Sequence, residues 1–153
     1  SYNWPQLRHS LGDHGSLFVL GRGPSYAISN EAALKFKETC QIHAESYSSA
    51  EVLHGPVSIV EPGYPVLALA SRDASEDSIA SCADELTRKG AVTFISSDRA
   101  EYAKRLDFAK TSHPLTDPLA LIVSFYAFIE RLSVERGINP DLPRNLKKVT
   151  ETV

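Results

Sequence analysis

The sequence contains no methionine. A chain that begins at Ser1 without a single Met carries no initiator of its own, and we read it as a segment of a longer polypeptide. Cysteine is scarce as well: Cys40 and Cys82 are the only two, and both fall within helical patterns. Two buried thiols in a reducing cytoplasm are the expected state, rather than a disulfide or a metal pair. A basic surplus is also missing, since 16 Lys and Arg stand against 19 Asp and Glu, a net charge of −3. With no excess cation to neutralise phosphates, neither nucleic acid nor a membrane surface is expected as the main partner. No apolar run approaches the length of a membrane span, and no signal-peptide pattern opens the chain. Internal repeats and low-complexity tracts are absent. His9, His14, His43 and His113 show no metal-ligand spacing, and no His/Cys/Asp cluster resembles zinc ligation.

What is present is enough for one domain with a substantial core: 153 residues, 42% of them apolar and 23% charged. Ser1–Gly12 reads as a short helix or lead-in with an apolar edge at Trp4, Leu7 and Leu11. Leu17–Leu20 and Val66–Ala70 are short, continuously apolar runs, the pattern of strands covered on both faces. Ala91–Ile95 is a further strand, Leu106–Ala109 a weaker one, and Ile42–Ser46 another short candidate. Helices alternate with them. From Ser25 to Cys40, the residues Ile28, Ala32, Phe36 and Cys40 form a stripe at helical spacing. A second helix starts near Ser75, with Glu76 and Asp77 in its first turn and Arg88 and Lys89 in its last, and Gly90 supplies a left-handed stop. A third is capped by Asp117 with Pro118 in its first position; it buries Leu121, Phe125, Phe128 and Leu132 and ends at Gly137. Ser48–His54 holds a short helix stopped by Gly55-Pro56. Alternating strand and helix predicts an α/β fold, a mostly parallel sheet with helices on both faces. Ligands in such sheets lie outside the carboxyl ends of the strands, where Gly21–Tyr26, Ser71–Ser75 and Ser96–Asp98 fall.

Four groups of residues could carry chemistry. Gly21-Arg22-Gly23 lies between a strand and a helix, where backbone N–H groups can hold an anion with help from Arg22 and Ser25. Pro24 and the lack of a third glycine rule out a dinucleotide fingerprint. Lys35 and Glu38 share a helix face. They read either as surface charge beside an ordinary Glu31–Lys35 pair, or as a general base with the cation that keeps it ionised. His54 either caps a helix end or moves protons near neutrality, as the opening of a pyranose ring requires. Lys148, in a tail running over 138–153, is either a solvated charge or a contact to an open-chain sugar.

Together the motifs Leu17-Phe-Val-Leu-Gly-Arg-Gly, Glu31-Ala-Ala-Leu-Lys-Phe-Lys-Glu38, His43-Ala-Glu-Ser-Tyr, His54-Gly-Pro and Pro143-Arg-Asn-Leu resemble the sugar isomerase (SIS) domain family. The likeness covers nearly the whole of 1–153 as one domain. It is to the second SIS domain of glutamine–fructose-6-phosphate aminotransferases and of the related glucosamine-6-phosphate deaminases and ketose/aldose isomerases. The resemblance implies a three-layer α/β/α sandwich around a five-stranded, mostly parallel sheet. It also implies a sugar-phosphate substrate, no metal or organic cofactor, and a cytoplasmic homodimer. Glu38 then matches the carboxylate that moves the C1–C2 proton, His54 the ring-opening histidine acting in a neighbouring subunit's site, Lys148 the tail lysine, and Lys35 the lysine one turn before the glutamate. Gly21, Arg22, Gly23 and Ser25 occupy the turn equivalent to the family's phosphate loop, which belongs to the first SIS domain, expected upstream. Ser49-Ala-Glu-Val-Leu-His54 departs from the aminotransferase pattern Ala-Gly-Glu-Leu-Lys-His. That points toward a deaminase, with an aminotransferase half or a non-catalytic sugar-phosphate sensor as the alternatives.

Overall fold

The structure is a computed structural model that describes residues 3–146. Its elements follow the chain as α1 (Pro5–Leu11), β1 (Ser16–Gly21), α2 (Pro24–Cys40), β2 (His43–Ser48), β3 (Pro65–Ala68), α3 (Glu76–Arg88), β4 (Val92–Ile95), β5 (Lys104–Arg105) and α4 (Asp117–Glu135). The five strands form one sheet in the order β2-β1-β3-β4-β5, every pair parallel.

Successive residues of a strand face opposite sides, so each apolar run feeds two cores. Leu17, Val19, Leu67 and Phe94 pack with α1, α2 and α4, while Phe18, Leu20, Val66, Ala68 and Ile95 pack with α3. The result is the expected three-layer sandwich, with helices divided three to one between the faces. The stripe Ile28, Ala32, Phe36 and Cys40 on α2 is buried against Phe125 and Phe128 of α4, with ring centroids 5.4 and 5.9 Å from Phe36. Both cysteines are buried free thiols. Burial, with Glu85 nearby, pushes the Cys82 thiol up to about 11, which leaves it protonated and unreactive at neutral pH.

Three local readings change or narrow. The fifth strand is Lys104–Arg105 rather than Leu106–Ala109. Leu106 still donates its N–H to the Ile95 carbonyl at 2.7 Å, but β4 ends there, so the residues beyond have no partner strand. Ser48–His54 does hold a short helix stopped at Gly55, but it is a single 3-10 turn over Val52–His54, and a second 3-10 helix follows over Pro56–Ile59. Asp117 and Pro118 occupy the first two positions of α4, after Thr116, so Asp117 does not cap the helix. Its carboxylate is drawn inward by Arg72 and Thr111. By contrast Gly90 and Gly137 do follow α3 and α4 with φ of 101° and 71°, the left-handed geometry that glycine adopts most readily.

Gly21 closes β1 where the chain turns straight into α2. A Cβ there would lie 2.6 Å from the Ser25 carbonyl oxygen and 2.8 Å from Ser29 Oγ. Because the first of these atoms is backbone, Gly21→Ala is expected to destabilise the protein by about 2–3 kcal/mol, seen as a lowered midpoint in thermal unfolding. An unchanged midpoint would mean that the turn relaxes freely.

Candidate functional site

Helix α2 starts at the carboxyl edge of the sheet and runs back to its amino edge. An α-helix advances 1.5 Å per residue, so Glu38 stands about 20 Å along α2 from Ser25. The residues singled out in the sequence therefore divide into separate groups.

At the carboxyl edge, the Gly21–Ser25 turn is closed on itself. Ser25 Oγ donates to the Arg22 carbonyl at 2.9 Å and accepts from the Arg22 N–H at 3.2 Å. Ser75 Oγ donates to the same carbonyl at 3.1 Å. Arg22 and Gly23 are exposed, and Gly21 and Ser25 are buried. The start of α3 already holds a carboxylate, since Asp73 Oδ1 accepts from the Ser75 N–H and hydroxyl.

Near the other end of α2, Lys35 Nζ donates to Glu38 Oε2 at 2.6 Å and lies 3.6 Å from Glu31 Oε1. The hydrogen bond to Glu38 raises the Lys35 ammonium above its ordinary value; burial opposes this, and the Glu31 charge adds to it. The Lys35 and Glu38 side chains are 29% and 26% exposed, half-shielded on the outward face of the helix. Tyr126 of α4 joins them by donating its hydroxyl to Glu31 Oε1 at 3.0 Å. Tyr126 was not singled out from the sequence; the available signal was a large aromatic three residues from Val123 and seven from Leu119, on the face of α4 opposite its buried stripe.

His54 is exposed, beyond the carboxyl end of β2. Its segment packs through Val52, Leu53, Val57 and Val60 on the α3 side of the sheet, whereas α2 covers the other side. Within one chain, then, His54 and Glu38 stand on opposite faces and toward opposite edges. Lys148 lies outside the described residues. The tail before it does approach α2: Ile138 and Arg144 line a cleft of about 470 Å³ with Asp13, Cys40, Gln41, Arg136 and Gly137. Cys40 and Gln41 come two and three residues after Glu38. Among the described residues, no group of three His, Cys, Asp or Glu side chains is arranged to hold a metal ion, and no helix is long and apolar enough to cross a membrane.

What this arrangement offers chemically is a carboxylate with its own fixed cation on an open surface. A carboxylate can move a proton between adjacent carbons, and an ammonium beside it can steady developing oxyanion charge. An open surface does not exclude water, so within this chain the pair is not enclosed.

Comparison with known proteins places the chain in a family. A family model described as "SIS domain" matches residues 10–102. A glutamine–fructose-6-phosphate aminotransferase (isomerizing) from Pyrobaculum aerophilum is 36% identical over 148 residues, which are 94% of this chain and 24% of that protein. Among solved structures, a candidate phosphosugar isomerase from Silicibacter pomeroyi DSS-3 superposes with a TM-score of 0.86 at 59% identity, over 91% of this chain and 42% of that one. The C-terminal domain of a glucosamine–fructose-6-phosphate aminotransferase from Francisella tularensis gives a TM-score of 0.79 at 26% identity, over 88% of this chain and 40% of that one. The chain thus spans about a quarter of the curated relative and under half of each solved neighbour.

Proposed function

The chain belongs to the SIS domain family, and from that premise we propose that it is the proton-transferring half of a two-domain enzyme acting on an amino-hexose 6-phosphate. The observation that carries this reading is the 2.6 Å Lys35–Glu38 pair on the outward face of α2. The same side of the α2–α4 pair exposes Leu34, Leu119, Val123 and Tyr126. A face of that kind suits burial by another domain, which would enclose the pair and exclude water. The covering domain also supplies the phosphate site, since the equivalent turn here is closed by Ser25 and the start of α3 by Asp73.

In this mechanism His54 of a second subunit opens the ring, which accords with its distance from Glu38 within one chain. Glu38 then takes the proton from C2 and returns it to C1, while Lys35 steadies the intermediate charge. With glucosamine 6-phosphate the product is a C2 imine. Water adds to it and ammonia leaves, giving fructose 6-phosphate. The cleft that Ile138 and Arg144 form beside Cys40 and Gln41 lies next to this end of α2, and Lys148, in the tail over 138–153, is the residue proposed to contact the open-chain sugar. Each step uses side chains alone and needs no metal or organic cofactor. The reaction belongs in the cytoplasm, where Cys40 and Cys82 stay reduced.

Deamination is favoured over glutamine-dependent amination by sequence: Ser49-Ala-Glu-Val-Leu-His54 departs from the aminotransferase pattern Ala-Gly-Glu-Leu-Lys-His. The aminotransferase reading keeps the support of the curated relatives.

The test is incubation of the full-length protein with glucosamine 6-phosphate in D2O. Ammonia release with some deuterium at C1 of the product is the expected result, and the 153-residue chain alone should release none. Turnover only with glutamine and fructose 6-phosphate would select the aminotransferase. Binding without turnover or exchange would select a sensor and reject the enzyme.

A further inference from the structure

We propose that Tyr126 is a positioning residue that directs Lys35 onto Glu38, acting through Glu31; this rests on Glu38 being the residue that moves the proton. Lys35 has two carboxylates within reach on its own helix, one turn before it and one after. In an isolated helix the better orientation, glutamate N-terminal to lysine, would favour Glu31. The structure nevertheless shows a clear asymmetry, with Lys35 Nζ 2.6 Å from Glu38 Oε2 and 3.6 Å from Glu31 Oε1. The oxygen it stands away from is the one that accepts the Tyr126 hydroxyl at 3.0 Å. The phenol, held in place by α4, satisfies part of the Glu31 carboxylate and weakens its pull on the ammonium.

Two further facts fit. Burial and the hydrogen bond to Glu31 raise the Tyr126 phenol above its ordinary value, so it remains a donor throughout the neutral range. Its neighbour Phe125 is fully buried against Phe36 of α2, which fixes the height of Tyr126 along α2. Without the phenol, Glu31 would draw Lys35 back into an ordinary four-apart pair. Glu38 would then lose the cation that orients it.

The test uses the full-length enzyme and three variants. Tyr126→Phe is expected to lower kcat about fivefold with KM and thermal stability unchanged. Adding Glu31→Gln to Tyr126→Phe should restore kcat, because the competing carboxylate charge is then gone. A purely structural role for Tyr126 would not be rescued in this way. An unchanged kcat in Tyr126→Phe, or a double variant worse than the single one, would overturn the proposal while leaving the role of Glu38 intact. Glu38→Gln separates the two assignments: if that variant turns over normally, the proton-transfer role fails and the Tyr126 role falls with it.

Discussion

Asp117→Ala is expected to destabilise the protein by about 3 kcal/mol, a drop of roughly 8 °C in thermal midpoint for a chain of this size. Asp117 is 1% exposed. Its carboxylate accepts from Arg72 Nε at 2.8 Å, Arg72 Nη2 at 2.9 Å and the Arg72 N–H at 3.3 Å. It also accepts from the Thr111 hydroxyl at 2.6 Å and the Thr111 N–H at 3.1 Å. One side chain thereby ties the loop after β3 and the loop before α4 to the first turn of α4. The figure falls at the low end for a broken buried pair because the Arg72 side chain is 32% exposed and can recover water. Asp117→Asn should cost less, since the amide retains one acceptor.

The same site predicts a pH dependence. Burial pushes the Asp117 carboxyl up, but the hydrogen bonds from Arg72 and Thr111 outweigh it and hold the group well below the usual carboxylate range. A carboxyl depressed by folding contributes stability above its unfolded value, near 3.9, and loses that contribution as pH falls toward its folded value. Urea unfolding of the wild type should therefore weaken more steeply below about pH 4 than that of Asp117→Asn. Asp84 acts in the same direction. Burial raises it, but the N–H groups of Glu101, Tyr102 and Ala103, each at 2.8 Å, more than compensate and lower it. Parallel acid curves for wild type and Asp117→Asn would mean that Asp117 titrates alike in the folded and unfolded chain.

Glu38→Gln should reduce kcat of the full-length enzyme by roughly 10²- to 10⁴-fold, the usual worth of a positioned general base. The amide keeps the shape of the side chain and an oxygen for Lys35, so folding and substrate affinity should change little. Only the ability to accept a proton is lost. Lys35→Met should also reduce kcat, by roughly 10- to 100-fold, because it removes a fixed cation and leaves the base in place. Retention of a tenth or more of wild-type turnover by Glu38→Gln would remove Glu38 from the chemistry.

The legibility of this chain varied from element to element. The runs Leu17–Leu20 and Val66–Ala70 were readable because strands covered on both faces favour apolar side chains at every position. The stripe Ile28, Ala32, Phe36 and Cys40 was readable because one helical face repeats every three to four residues. β5 was misplaced by a few residues because its two residues, Lys104 and Arg105, carry no apolar signal, and pairing with β4 alone defines them. Asp117 looked like a helix cap because sequence shows only what stands next to it along the chain. Its partner Arg72 is 45 residues away.

The candidate site shows the same divide. Lys35 and Glu38 were legible as neighbours from their spacing on one helix, and the motifs around them were enough to suggest the family. The turn at Gly21–Ser25 was legible as a turn, but not as one whose serine already bonds its own backbone. Tyr126 was not legible at all, since its bond to Glu31 spans 95 residues and depends on α2 and α4 lying side by side. Helix positions, the apolar strands, the two-sided core and the closeness of Lys35 to Glu38 on α2 follow from periodicity, which acts over a few residues. Which carboxylate Lys35 faces, and where Asp117 is buried, depend on packing between distant segments, and no local pattern encodes those distances.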